Sequence, residues 1–156
     1  MEARMVMVKE DDVAIISCPG CGKTKNFSMV PYKQSSKRDL RVKCSCENVF
    51  CLSLEYRRYR RKSVRLLGKS INLSNHRESQ DIIIKNISMG GVGFYPFKQH
   101  KTKQDDRLQV FFELNDCNNT PVKVDVTVRT VCNDYVGCEF NNTGKIETSI
   151  GFYLLD

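Results

Sequence analysis

Two β-type runs meet at residues 86–94, Asn86-Ile87-Ser88-Met89-Gly90-Gly91-Val92-Gly93-Phe94. Asn86 and Ser88 are two residues apart, so on a strand they project from one face. The glycines that follow favour a tight turn and leave bare backbone beside these polar side chains. Taken alone, the pattern is also typical of an ordinary β-turn.

Short β-rich runs extend from this turn in both directions. They cover residues 64–73, 81–87, 92–97, 108–114, 122–132 and 135–140, and clusters of turn-forming residues separate them. Such even spacing favours an antiparallel sandwich or barrel. In the fifth run Val122, Val124, Val126 and Val128 alternate with polar residues, which indicates one buried and one solvated face.

The chain end has a helical pattern. Ile146, Ile150 and Leu154 lie four residues apart, with Tyr153 beside them, in residues 145–155. The sequence therefore predicts a closing helix over the barrel.

The first part of the chain is basic and rich in cysteine. Residues 1–62 hold 14 Lys and Arg against 7 Asp and Glu, whereas residues 63–156 hold 11 against 11. This asymmetry indicates an anionic partner: nucleic acid, an acidic protein or a phosphorylated small molecule. A chain of 156 residues has room for a barrel of about 100 residues and a small module.

Four cysteines have the spacing of a zinc ribbon. Cys18 and Cys21 flank Pro-Gly, and Cys44 and Cys46 follow after a loop. Two close pairs of thiolates complete a tetrahedron around structural zinc. Cys51 is the alternative fourth ligand, and ordinary buried thiols are the less favoured interpretation.

These patterns predict three segments: a tail at 1–12, a zinc-ribbon-like module at 13–53 and a barrel domain at 54–156. Residues 33–43 are expected to be a polar, flexible loop. With no apolar run of about 20 residues and no export signal, we expect a cytoplasmic protein without membrane insertion.

An arginine-rich run immediately precedes the first barrel strand. Residues 55–62 read Glu-Tyr-Arg-Arg-Tyr-Arg-Arg-Lys. In isolation, such a run is typical of a solvated linker or a nonspecific nucleic-acid patch. The turn at residues 86–94 changes that interpretation.

An Arg-x-x-x-Arg segment upstream of an Asn-x-Ser-x-x-Gly turn, in a six-stranded β protein, resembles the PilZ family of bacterial proteins. The resemblance covers residues 54–156 and extends to the strand Val136-Gly137-Cys138-Glu139-Phe140. It implies a six-stranded antiparallel β-barrel with a C-terminal helix. The cysteine module resembles a zinc-ribbon extension found before some such domains.

The resemblance also implies a ligand, cyclic di-GMP. Arg57 and Arg61 match the motif arginines, and Asn86, Ser88 and Gly91 match the turn motif. Arginine can pair with phosphate or with guanine O6 and N7 through two hydrogen bonds. Asn86 stands where the family often has Asp, which weakens the attraction to a guanine N–H.

The function implied is that of a non-enzymatic receptor. It would relay the messenger to an unidentified downstream protein, affecting processes such as motility, exopolysaccharide or biofilm. No nucleophile and base, metal-bound water or paired carboxylates have suggestive spacing. Two alternatives remain: a basic zinc-ribbon protein that binds nucleic acid, and a PilZ-like adaptor that docks proteins without binding the messenger.

Overall fold

The computed structural model describes residues 3–35, 38–142, 144 and 146–155, without the side chains of Ile146 and Glu147. The chain forms two compact units, Met1–Arg58 and Tyr59–Asp156. The division lies within the arginine-rich run. Neither described helix has the length and apolar content needed to cross a membrane.

The described residues of the first unit form five strands and one short helix. They are β1 (Arg4–Met7), β2 (Val13–Ser17), β3 (Thr24–Ser28), α1 (Val30–Lys33), β4 (Asp39–Lys43) and β5 (Val49–Glu55). Strands β2 and β3 form a hairpin, while β5 pairs antiparallel with β4 and parallel with β1. Ala14, Ile16, Met29, Phe50 and Leu52 are among the side chains of its own apolar core.

Two expectations for this unit differ from the structure. Residues 4–7 of the expected tail form β1, because Leu52 to Glu55 of the distant β5 supply its pairing partner. The expected loop at 33–43 was wrong: it contains the end of α1 and all of β4. In β4, Leu40 and Val42 alternate with exposed residues and pack against the core.

The second unit is a closed barrel followed by a helix. Its elements are β6 (Lys62–Asn72), β7 (Glu78–Ile87), β8 (Gly91–Pro96), β9 (Arg107–Glu113), β10 (Pro121–Cys132), β11 (Tyr135–Phe140) and α2 (Ile146–Leu155). The strand order is β10-β11-β8-β7-β6-β9, and every neighbouring pair is antiparallel. The six-stranded barrel and the C-terminal helix are confirmed, with strand limits within three residues of those expected.

The barrel core follows the alternation in the sequence. Val122, Val124, Val126 and Val128 point inward and are almost fully buried. Ile150 and Tyr153 of α2 join the same apolar cluster, and Leu154 packs against it. The helix therefore belongs to the core of this unit.

Candidate functional site

Ser88 builds the turn between β7 and β8. Its side-chain oxygen accepts hydrogen bonds from the backbone N–H groups of Gly90 and Gly91, both at 3.2 Å. Its own backbone N–H donates to the Gly91 carbonyl at 2.9 Å. A hydroxyl has two acceptor positions, and the turn uses both. Ser88 is also buried, so its side chain stabilises the turn from beneath the protein surface.

The two glycines of the turn make room for neighbouring parts of the same unit. A β-carbon on Gly90 would lie 2.7 Å from Cδ2 of Tyr59, so the aromatic ring covers this backbone. A β-carbon on Gly91 would lie 2.0 Å from the carbonyl oxygen of Cys138 on β11. The sequence predicted the turn, but it did not indicate these two contacts.

Asn86 is held by a tyrosine from another strand. The register of β7 against β8 shifts between Ile84 and Asn86, and Asn86 then pairs with Gly93. The side-chain nitrogen of Asn86 donates to the hydroxyl of Tyr135 at 3.0 Å. A β-carbon on Gly93 would lie 2.0 Å from that hydroxyl. The missing side chain of Gly93 therefore lets Tyr135 reach Asn86.

The two motif arginines lie in different units. Arg57, near the end of the first unit, donates its backbone N–H to Glu55 at 2.9 Å and forms an ion pair with the same carboxylate at 3.3 Å. Arg61, in the second unit, is exposed and has no ion-pair partner among the described residues. Arg61 therefore has its guanidinium available for an anion.

The pairing of β6 with β7 brings Arg61 and Lys62, the last residues of the arginine-rich run, to the glycine turn within the second unit. Lys62 pairs with Ile87 and Ser63 pairs with Asn86. Arg61 comes directly before Lys62, and Ser88 comes directly after Ile87. In antiparallel strands this places Arg61 beside the start of the turn.

Lys62 differs in role from the arginines beside it. Its ammonium group donates to the backbone carbonyl of Tyr153 at 2.9 Å and lies 4.2 Å from the centre of that ring. The lysine thus ties the start of β6 to α2. The pattern of charges in the sequence did not distinguish the role of Lys62 from the roles of the neighbouring arginines.

The four predicted cysteines come together in the first unit. Cys18 and Cys21 lie between β2 and β3, and Cys44 and Cys46 lie between β4 and β5. Their sulfur atoms all lie within 4.8 Å of one another, with Cys18 to Cys46 at 3.6 Å and Cys21 to Cys44 at 3.7 Å. Four sulfurs about 2.3 Å from one zinc would lie roughly 3.8 Å apart. This donor set fits tetrahedral zinc, and Cys51 is not a member of the group.

Local hydrogen bonds favour the thiolate form of Cys18. Burial by itself would raise the pKa of this thiol. Backbone hydrogen bonds at Cys21 and Gly20, followed by those from the thiols of Cys44 and Cys46, lower the pKa to about 6. A backbone hydrogen bond at Asn48 lowers the pKa of Cys46, but the thiol of Cys21, burial and the thiols of Cys18 and Cys44 raise it to about 11. The first thiolate of the cluster therefore forms at Cys18, and metal binding displaces the protons of the other thiols.

The cysteines of the barrel unit do not belong to this cluster. Burial raises the pKa of Cys138 to about 12, which keeps this thiol protonated among apolar neighbours. Cys117 and Cys132 are exposed. Cys132 is the last residue of β10, where the strand is exposed.

Residues 55–154 match the PilZ domain family, which is more than half of the chain. The chain belongs to the PilZ domain family. No curated protein matches the sequence.

Solved structures share the fold at low sequence identity. The PilZ domain with c-di-GMP of YcgR from Escherichia coli has a TM-score of 0.52 at 14% identity, over 62% of this chain and 87% of that one. Bacillus subtilis inhibitor of motility, MotI/DgrA, has a TM-score of 0.56 at 15% identity, over 95% and 69%. The K. pneumonia MrkH-c-di-GMP complex has a TM-score of 0.54 at 17% identity, over 94% and 67%.

Proposed function

We propose that this chain is a non-enzymatic receptor for cyclic di-GMP. The observation that carries the proposal is the strand register that sets Arg61 beside the turn of Asn86, Ser88 and Gly91 within the PilZ domain. Two of the similar solved structures, those of YcgR and MrkH, are complexes with c-di-GMP. This supports the same ligand for this chain.

The arginines supply the strongest contacts in this proposal. Arg57 and Arg61 bind phosphate oxygens or the O6 and N7 atoms of guanine through paired hydrogen bonds. The ion pair of Arg57 with Glu55 must then be exchanged for ligand contacts. Since the Arg57 side chain is 40% exposed, the exchange has a small electrostatic cost.

Asn86 supplies the complementary acceptor. Its amide nitrogen already donates to Tyr135, so its carbonyl oxygen faces away from that bond and can accept a guanine N–H. The amide thereby performs the role that a carboxylate has in many family members. Ser88 and Gly91 act by keeping the turn in shape under the base.

We propose further that Cys18, Cys21, Cys44 and Cys46 hold one structural zinc ion. When bound, zinc crosslinks the β2–β3 and β4–β5 turns, and all four positions are taken by sulfur. The site therefore supports folding of the first unit and leaves no open position for a reacting water.

The output of the receptor is an interaction with a downstream protein. One similar structure is that of an inhibitor of motility, which makes control of motility the first process to test. Exopolysaccharide or biofilm formation are further outputs within this proposal.

Calorimetric titration with cyclic di-GMP tests the proposal. Loss of one charge-assisted contact costs about 1.5–3 kcal/mol, so Arg57→Ala and Arg61→Ala should each weaken binding about 10- to 100-fold. Arg60→Ala is the matched control, because it removes a cation from the same run outside the motif. We expect it to bind like the unaltered chain.

Two results would contradict the receptor function. One is the absence of heat when the metal-loaded protein is titrated with millimolar messenger. The other is salt-sensitive binding to polynucleotides with no response to the messenger, which would support a nucleic-acid-binding protein.

A further inference from the structure

The barrel carries an apolar groove on its outer surface that includes none of the residues proposed to bind the messenger. The groove has a volume of about 790 Å³, and its wall includes Leu67, Phe97 and Phe111. Leu67 is 72% exposed and Phe97 is 56% exposed. The barrel interior is filled by other side chains, so these three do not serve the core.

The strand register places charged and aromatic side chains side by side in this groove. Lys69 on β6 pairs with Asp81 on one side and with Phe111 on the other. Phe111 pairs in turn with Lys123, whose ammonium lies 5.4 Å from the centre of the phenylalanine ring. Successive strands are about 4.8 Å apart, so these groups form one continuous row across the sheet.

The charges lining the groove are balanced. Lys69 and Lys123 are offset by Asp81 and Glu113, and no ion pair involves any of these four among the described residues. A surface for a polyanion or an anionic membrane would have an excess of cations. A surface with equal numbers of positive and negative side chains and with exposed apolar residues is instead complementary to a second surface of the same composition.

We propose that the outer groove is a dimer interface occupied by a second copy of this chain. In a dimer with two-fold symmetry both copies contribute the same surface to the interface. Each lysine can therefore face a carboxylate of the other copy. Leu67 and Phe97 of each copy are then removed from water in the groove of the other. The proposal does not depend on the messenger, because the nucleotide site lies on different residues.

Analytical ultracentrifugation of the full chain tests this interface without added messenger. We expect a reversible monomer–dimer equilibrium between about 1 and 100 µM. Leu67→Lys and Phe97→Lys should raise the dimer dissociation constant by about tenfold or more, because each puts a charge into the apolar contact. Phe152→Lys is the matched control, since Phe152 is 69% exposed on α2 and is not part of the groove.

The possible results separate clearly. Dimers of the unaltered chain and of Phe152→Lys, with monomers of both groove variants that keep the circular dichroism spectrum of the unaltered chain, support the interface. A monomeric unaltered chain at the highest concentration overturns it, and so does a Leu67→Lys protein that dimerises as strongly as the unaltered one.

Discussion

At the scale of single residues, the contact between Asn86 and Tyr135 decides which atoms the turn presents. The amide nitrogen of Asn86 donates to the Tyr135 hydroxyl at 3.0 Å, and its oxygen accepts no hydrogen bond from the described residues. Gly93 is part of the same arrangement, because a side chain there would push the hydroxyl away. Tyr135 therefore acts as a positioning residue for the proposed nucleotide contact.

Tyr135→Phe should weaken cyclic di-GMP binding. The variant removes one hydrogen bond that orients Asn86 and keeps the ring, so we expect a loss of about 3- to 10-fold in affinity by calorimetry. Tyr95→Phe is the control: its ring packs edge-on against Tyr135 at 5.4 Å, and its hydroxyl has no hydrogen bond among the described residues. Unchanged affinity in Tyr135→Phe would show that this contact does not position Asn86 for binding.

At the scale of elements, α2 depends on the beginning of β6. Lys62 both donates to the Tyr153 carbonyl and lies over the Tyr153 ring, while the Tyr153 hydroxyl donates to the side-chain oxygen of Asn115. The helix is thus attached to two separate parts of the barrel in addition to its buried Ile150. Arg61 immediately precedes this attachment, so the proposed ligand site and the helix share one short segment.

Lys62→Met should destabilise the barrel unit. Methionine keeps much of the apolar stem but loses the hydrogen bond and the contact of the charge with the ring. We expect the free energy of unfolding in urea to fall by about 1–3 kcal/mol. Lys101→Met is the control, because Lys101 is an exposed lysine in a loop of the same unit. Equal stability of the two variants would contradict the role given to Lys62.

At the scale of the whole molecule, the described residues form two hydrophobic cores, one in each compact unit. The barrel core is the larger, and the first unit adds the four-cysteine cluster to a smaller core. A small core benefits most from a metal crosslink, because metal binding adds directly to the free energy of folding. The two units should therefore respond differently to metal removal.

Chelation should destabilise only the first unit. We expect one zinc per chain by native mass spectrometry, and a chelator should lower the melting temperature of one calorimetric transition while the barrel transition is unchanged. Cys46→Ser should lose the metal, whereas Cys51→Ser should keep it. Retention of zinc by Cys46→Ser together with its loss in Cys51→Ser would reverse the choice of fourth ligand.

The local pattern of the sequence was sufficient for much of this molecule. Alternation from Val122 to Val128 determined one buried strand face, and the glycines at residues 90 and 91 determined the turn. The spacing of Cys18, Cys21, Cys44 and Cys46 predicted that these four thiols come together, and their sulfur atoms do. These features depend on residues close together in the chain, where strand periodicity and turn chemistry operate.

Other features were decided only by the tertiary structure. Strand β1 needs β5 as its partner, Asn86 needs Tyr135 on another strand, and Lys62 needs the carbonyl of Tyr153. Cys46, and not Cys51, is grouped with the other three cysteines because the β2–β3 and β4–β5 turns lie together in the fold. Each of these contacts joins residues far apart in the chain, and local periodicity carries no information on which distant group will meet a given side chain.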